Sequence, residues 1–362
     1  MTNHTIPTVR IKVIGVGGAG GNAVARISNQ KNIDLDLLAI NTDTQALAEM
    51  KNFPTFAIGP ERTLGMGSGG NPEIGRQAIK ESKTQISELL VDTDMVFITA
   101  GMGGGTGTGA TPMVAEIAKK HGALTIAIVT RPFSFEGKSR RIVADIGINA
   151  LQKKVDTLIV IENDRLIDAV KGDATLNQAF TIADEVLGQG VKGITEIINT
   201  PGLINVDFAD IKSLMENGGK TFMGMGKAKG KDAAKEAVRA ALSSPMFDAP
   251  IESCSGILLN IKSCEKLSMD QIHEITDFIK NRTSKDIHIV FGIVNDQTKN
   301  KHVVVTIIAT GLGSNRDKIE DQPTNSNRHK NDINHELMTN SVKYINEVSK
   351  KDPSPQTAAM VQ

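Results

Sequence analysis

Three strings in this chain are so rich in glycine that backbone, more than side chains, has to carry their chemistry: Gly15 to Asn22, Gly65 to Pro72 and Gly101 to Gly109. Without a Cβ, glycine lets main-chain N–H groups approach an anion closely. Gly15-Val16-Gly17-Gly18-Ala19-Gly20-Gly21-Asn22 carries the G-x-G-x-x-G spacing between an apolar run and a helical pattern, the context in which N–H groups and a helix dipole hold phosphate. By itself this string also fits a ligand-free strand-to-helix turn, or a dinucleotide site with Asp43 accepting from a ribose. Gly101-Met102-Gly103-Gly104-Gly105-Thr106-Gly107-Thr108-Gly109 favours a different ligand, because a dinucleotide fold needs one phosphate turn and this chain has two at strand ends. Thr106 and Thr108 add hydroxyls that a purely conformational turn does not need. The Gly65 to Pro72 string is placed either to close over a terminal phosphate or to be a surface loop.

The lysine of G-x-x-x-x-G-K-[ST] is missing: Gly219-Lys220-Thr221 resembles its end, but the position five before Gly219 is Leu214. The phosphates therefore depend on backbone dipoles, bound cations or groups from outside the pocket. Asp207 and Asp210, spaced i, i+3 at a helix start, read as an N-cap and a first-turn acid.

The elements that must position these loops follow from hydrophobic period. Apolar runs at Arg10 to Val16, Leu35 to Asn41, Thr55 to Ile58, Met95 to Ala100, Leu124 to Thr130 and Thr157 to Ile161 alternate with helical patterns. This predicts an α/β fold with a doubly wound, mostly parallel, Rossmann-like sheet in the order 3-2-1-4-5-6, so that the first and fourth strands flank the switch point. Leu176 to Asn199 reads as a long helix, weakened by Gly188, Gly190 and Gly193. After Pro201-Gly202, helices near Asp232 to Leu242 and Met269 to Asn281 and strands near Gly256 to Ile261, Ile287 to Val294 and Val303 to Thr310 predict a smaller α+β domain. The expected division is a flexible start (1–8), a nucleotide domain (9–175), a central connecting helix (176–200), a second domain (201–313) and a disordered tail (314–362). Within that tail Ile333 to Val348 has a helical apolar face.

With 362 residues and 40% hydrophobic content the chain can bury a sizeable core. Lys+Arg and Asp+Glu balance at 41 each, which gives no overall field for nucleic acid or an anionic membrane. Two cysteines, Cys254 and Cys264, with no secretory signal at the start, are expected to be free thiols in a cytoplasm. No apolar run approaches the roughly 20 residues needed to cross a bilayer. The histidines show no metal-ligand spacing and no His-carboxylate pair of the kind an NAD-dependent oxidoreductase would use.

The string Gly103 to Gly109, GGGTGTG, is the signature of the tubulin and FtsZ superfamily, and the chain resembles that family from about residue 9 to 313. Asn41-Thr42-Asp43, Asn71-Pro72-Glu73-Ile74-Gly75-Arg76, Thr130-Arg131-Pro132-Phe133, Phe135-Glu136-Gly137-Lys138 and Pro201 to Asp210 support the resemblance in the same order. The resemblance implies a GTPase in which Gly18, Ala19, Gly20, Gly21 and Asn22 with Gly105, Thr106 and Gly107 cradle the phosphates of GTP or GDP. Glu136 and Arg140 would hold the ribose and nearby phosphate, Asp184 would pair with guanine, Phe180 would pack on the base, and Asn163 would be a further contact. Mg²⁺ would be bound through the phosphates, with no protein metal site. Asn205, Asp207 and Asp210 would enter the pocket of the next subunit and position the attacking water, which implies a head-to-tail homopolymer.

The same resemblance implies a cytokinetic ring at the bacterial division site, cytoplasmic and assembled at midcell beneath the membrane, with division regulators and membrane-anchor proteins as partners. A tubulin-like filament for DNA partition or cell shape is the alternative use of such a fold. Ala19 stands where many relatives have glycine, and Ser354 to Gln362 lacks the peptide by which the family docks on membrane anchors.

Overall fold

The computed structural model describes residues 9–29, 35–169, 175–199, 202–204, 206–230, 232–244, 251–263, 267–283, 287–295 and 302–311. The expected flexible start, Asn205, Cys264 and the tail with its 333–348 stretch lie outside the described residues. Ten strands are present among the described residues: β1 (Ile11–Val16), β2 (Asp36–Asn41), β3 (Thr55–Ala57), β4 (Met95–Gly101), β5 (Leu124–Arg131), β6 (Thr157–Glu162), β7 (Gly219–Ala228), β8 (Gly256–Ser263), β9 (His288–Asn295) and β10 (Val303–Thr310). The helices of the first part are α1 (Gly17–Ser28), α2 (Thr44–Ala48), α3 (Pro60–Thr63), α4 (Pro72–Glu81), α5 (Lys83–Leu89), α6 (Thr106–Lys120), α7 (Lys138–Gln152) and α8 (Asn163–Ala169). They are followed by α9 (Leu176–Asn199), α10 (Phe208–Met215), α11 (Ala233–Leu242) and α12 (Met269–Lys280).

The first six strands are parallel in the order 3-2-1-4-5-6, as the alternation of apolar runs and helical patterns predicts. Except at the short edge strand β3, both faces are covered, which is why these strands are nearly continuous in apolar residues. Val13, Phe97, Ile126 and Ile159 point to one face, against α1 and α9, while Ile14, Ile98, Ala127 and Leu158 point to the other, against α4 and α6. At about 1.5–3 kcal/mol for each fully buried large aliphatic or aromatic side chain, these two layers dominate the stability of the first domain.

The sequence reading missed β7, because its glycines (GKTFMGMGKA) imitate breakers. Gly219-Lys220-Thr221, the imperfect copy of a phosphate motif, is instead the start of this strand, paired in parallel with Thr157, Leu158 and Ile159 of β6. Its far end pairs antiparallel with β10, so β7 joins the parallel part to the second, mixed part in one ten-stranded sheet. A third core lies there, between α11, α12 and residues such as Phe222, Leu259 and Ile307. Cys254 is a free thiol in that core, and burial pushes its pKa up to about 11.

Helix α9 runs unbroken for 24 residues. Its glycines do not interrupt it; they let it lie close to the sheet, Gly190 over Ile128 and Gly193 over Thr306. Gly109 does similar work between α6 and α4, where a Cβ would fall well inside 3 Å of the Pro72 carbonyl oxygen. Gly109→Ala is therefore expected to lower the unfolding free energy by about 2 kcal/mol, measured by urea denaturation.

Candidate functional site

A cleft of about 790 Å³ opens at the C-terminal ends of the parallel strands, where the order reverses between β1 and β4. Two helix N-termini meet there. Neither α1, which follows Val16, nor α6, which follows Gly105, has a side-chain cap or an acid in its first turn. By contrast Asp43 caps α2, Asn71 caps α4 and Ser268 caps α12. The first-turn N–H groups of α1 and α6 are thus left for a ligand, with two dipoles of the same sign behind them. Gly17, at φ +73, makes the approach possible, since a Cβ there would lie 3.1 Å from the Gly107 nitrogen.

Gly18, Ala19, Gly105, Thr106 and Gly107 line the cleft. Gly20 and Gly21 do not. They are buried behind the wall: a Cβ at Gly20 would run into the Thr99 carbonyl, so close packing demands glycine there, while one at Gly21 would meet only the movable end of the Met50 side chain. Ala19 is absent from the positive-φ residues, and its methyl group sits over Gly101, which leaves room for it. Thr108 departs from its expected role, because its hydroxyl accepts the Gly103 N–H at 2.8 Å inside the loop and is turned away from the cleft. The Thr106 hydroxyl instead joins Thr42 at 2.7 Å and Ser68 at 3.0 Å in a buried hydroxyl cluster. The third glycine string forms part of the same wall, held by Gly67 N–H on Thr42 O at 3.1 Å and Thr44 N–H on Gly65 O at 3.0 Å. Sequence reasoning missed Thr42 and Ser68, whose hydroxyls signal nothing until the loops are folded together.

Among the described residues lining the cleft, Arg140 is the one cation, beside Asp43, Glu136 and Asp184. Asp43 is occupied as the α2 cap, accepting from Gln45 and Ala46 N–H at 2.9 and 3.1 Å, so it is not presented as a ribose acceptor of a dinucleotide site. Glu136 is also engaged: one oxygen accepts the Phe133 N–H at 2.9 Å and the other holds Arg140 at 2.5 Å.

At the opposite end lies an apolar and acidic corner. Phe180 is 40% exposed and stands edge-on to Phe133 and Phe135, at 5.4 and 6.2 Å between ring centroids. One turn along α9, Asp184 is only 8% exposed. Burial raises its pKa to about 6, against the opposing pull of the Arg26 guanidinium at 3.9 Å and a hydrogen bond from Asn22. Asn22 thus does not line the cleft and bears on it through Asp184. Asn163 is buried at the cleft, and its Oδ1 has no hydrogen-bond partner. A buried orphan acceptor of this kind costs about 1–3 kcal/mol unless something in the cleft donates to it.

Asp207 and Asp210 are exposed and do not line this cleft. Asp207 occupies the N-cap position of α10, yet its side chain makes no cap hydrogen bond.

Two family models match the chain: "Tubulin/FtsZ family, GTPase domain" over residues 10–171, and "FtsZ family, C-terminal domain" over residues 219–313. The structure of an empty FtsZ dimer from M. jannaschii is 41% identical, with a TM-score of 0.81 over 88% of this chain and 96% of that one. The chain belongs to the FtsZ family. A second M. jannaschii FtsZ structure is 43% identical, with a TM-score of 0.80 over 84% of this chain and 92% of that one. CetZ2 from Haloferax volcanii, at 18% identity and a TM-score of 0.71 over 94% of this chain and 100% of that one, shares the fold alone. This FtsZ-family chain is a GTPase. The oxidoreductase alternative is set aside by that membership and by the capping role of Asp43. No helix among the described residues is long and apolar enough to cross a membrane.

Proposed function

We propose that GTP binds in this cleft and is hydrolysed only where two copies of the chain meet head to tail. The phosphates lie along the N–H groups of Gly18, Ala19, Gly105, Thr106 and Gly107, Phe180 packs on the base, and Asn163 donates or accepts at the base or sugar. Asp184 accepts both guanine donors, N1–H and the exocyclic amine, a pair adenine does not offer. Arg140, presented by Glu136, faces the ribose and adjoining phosphate.

No group of three His, Cys, Asp or Glu that could hold a metal occurs among the described residues. The donor set near the phosphate wall is hydroxyl-rich (Thr42, Ser68, Thr106), which fits Mg²⁺ carried by the nucleotide and at most touched by the protein. Such an ion would shield phosphate oxygens. Hydrolysis joins a water oxygen to the γ-phosphorus and breaks the bond to the bridging oxygen, leaving GDP and phosphate. The chain's contribution is orientation: Asp207 and Asp210 of the next copy hold the water and accept its proton's hydrogen bond.

The observation that carries this reading is the length of α9. Phe180 and Asp184 lie in its first half, and the remaining 19 and 15 residues to Asn199, at 1.5 Å each, place its end, from which the acidic loop departs, about 22–29 Å away. No carboxylate of that loop can serve its own cleft, whereas a neighbour stacked along the helix direction can supply one. Such a contact is heterologous and open, so it gives filaments. We further propose that the filament serves as the cytokinetic ring, assembled at midcell beneath the membrane, with the boundaries 9–175, 176–200 and 201–313 as its working parts.

Sedimentation with GTP, ATP and NAD in parallel, together with phosphate release across a dilution series, tests the proposal. Pelleting with GTP alone and turnover per molecule that rises with protein concentration are expected. Turnover per molecule that stays constant on dilution would refute the shared site.

A further inference from the structure

Beneath the base-binding corner lies a set of five charged side chains that none of the roles above uses. Arg131 ends β5 and Glu162 ends β6, and the two are in register across the parallel pair. The Arg131 guanidinium makes a short ion pair with Glu162 and a second, at 2.9 Å, with Asp145 on α7. Arg141, also on α7, reaches the other Glu162 oxygen at 3.6 Å and Asp164, at the start of α8, at 3.5 Å. Asp164 in turn accepts the Ser134 N–H at 2.8 Å. The central pair is the least accessible of the set, with side chains 25% and 18% exposed, so solvent and salt screen it less than a surface pair.

Four of the five, all but Asp145, are chain neighbours of a residue in the cleft. Arg131 precedes Pro132, Arg141 follows Arg140, and Glu162 and Asp164 flank Asn163; Pro132, Arg140 and Asn163 all line the cleft. Ser134 begins the short 3-10 turn that contains Phe135 and Glu136. Three separate segments, after β5, at the start of α7 and after β6, are thereby tied to one guanidinium–carboxylate pair. Glu136 ties the turn to Arg140 on α7, but no cap fixes the helix starts: α7 follows Gly137 (φ +100) with no side-chain cap, and α8 begins directly after β6.

We infer that Arg131 and Glu162 are positioning residues for nucleotide binding, acting through Asn163, Arg140 and the 132–136 turn. The inference rests on the cleft being the GTP site. It assigns the pair an effect on affinity for the sugar and base end and none on the γ-phosphate step, whose wall is built by α1 and α6 on the other side. A misplacement of about 1 Å in such a wall is enough to weaken binding substantially.

The test uses the full chain, dilute and monomeric, with GDP affinity measured by calorimetry and with KM and kcat for GTP measured at a concentration that supports turnover. Glu162→Gln is expected to weaken GDP binding and raise KM about tenfold, within the range of coupling energies for networked pairs, and to leave kcat at saturating GTP within about twofold. The exchanged pair, Arg131→Glu with Glu162→Arg, should recover affinity to within about threefold of the parent. Asp145→Asn cuts one peripheral arm, at a side chain 48% exposed, and should weaken binding about threefold even if the central variants fold poorly. GDP affinity unchanged in Glu162→Gln or Asp145→Asn would overturn the inference, as would an exchanged pair no better than the single variant. A parent chain that binds no GDP at all would instead remove the nucleotide reading itself.

Discussion

Asp210→Ala should bind GTP within about twofold of the parent chain and release phosphate at least about a hundredfold more slowly. Binding is spared because Asp210 is exposed in the first turn of α10 and absent from the cleft. Folding is spared as well, since losing a first-turn acid costs only about 0.3–1 kcal/mol of dipole interaction. A deficit in hydrolysis without a deficit in stability or affinity has to arise from a missing group at the reacting phosphate. Equal mixing sharpens the test. Asp210→Ala keeps an intact cleft and lacks the acid, while Asp184→Ala keeps the acid and lacks the guanine partner. A contact between the cleft of the first and the loop of the second is complete, so the mixture should hydrolyse GTP although neither variant does so alone. A mixture as inactive as its parts would sink the shared-site account.

The second large effect concerns Asp184, where stability and function pull in opposite directions. The folded pKa, about 6, lies above the ordinary 3.8 of an aspartate because the side chain is buried. The native state therefore holds a proton that the unfolded state has lost between about pH 4 and pH 6. This group makes the nucleotide-free chain less stable as pH rises through that window, and the loss persists at neutral pH. The shift corresponds to roughly 3 kcal/mol as an upper figure, reduced in practice because Asp184→Asn also removes one of the two carboxylates paired with Arg26. Asp184→Asn is thus expected to stabilise the empty chain by about 1–2 kcal/mol at pH 7.5, with little gain at pH 4, measured by urea unfolding.

The same variant should lose GTP affinity about a hundredfold or more, because an amide presents a donor to one of guanine's two donors. Xanthosine triphosphate, with a carbonyl in place of the exocyclic amine, should regain part of that affinity. For the parent chain, GTP binding should weaken as pH falls below about 6 and release protons near that pH, which calorimetry in buffers of different ionisation heat would detect. Proton release absent there would show that the carboxylate does not meet the base.

The parallel sheet was legible in the sequence because its signal is local. β1, β2, β4, β5 and β6 are each an apolar run bounded by turn residues, and burial on both faces makes that run continuous, whereas the edge strand β3 is short and half-exposed. The glycine strings were legible as backbone sites for the same reason. What each glycine does was not: Gly18 faces open space, Gly20 packs under a carbonyl and Gly107 touches the neighbouring loop, and all three look alike in sequence. Strand β7 was lost on the same account, since Gly226 is required by the close approach of α11, through the Ala237 carbonyl, and not by a turn. Phe180 and Asp184 carry no sign of a ligand when read from the residues alone; family resemblance supplied their roles.

By itself, then, the sequence determined the α/β layering, the two glycine-rich turns at strand ends and the lack of a G-x-x-x-x-G-K-[ST] lysine in them, since each depends on residues within a few positions of one another. Only tertiary structure decided that Thr42, Ser68 and Thr106 share one hydroxyl cluster, that Asp184 is desolvated, that five charges on β5, α7, β6 and α8 converge, and that the acidic loop lies beyond the far end of α9 from Asp184. Those properties depend on distances between residues remote in the chain, and chain order alone does not specify such distances until packing has brought the segments together.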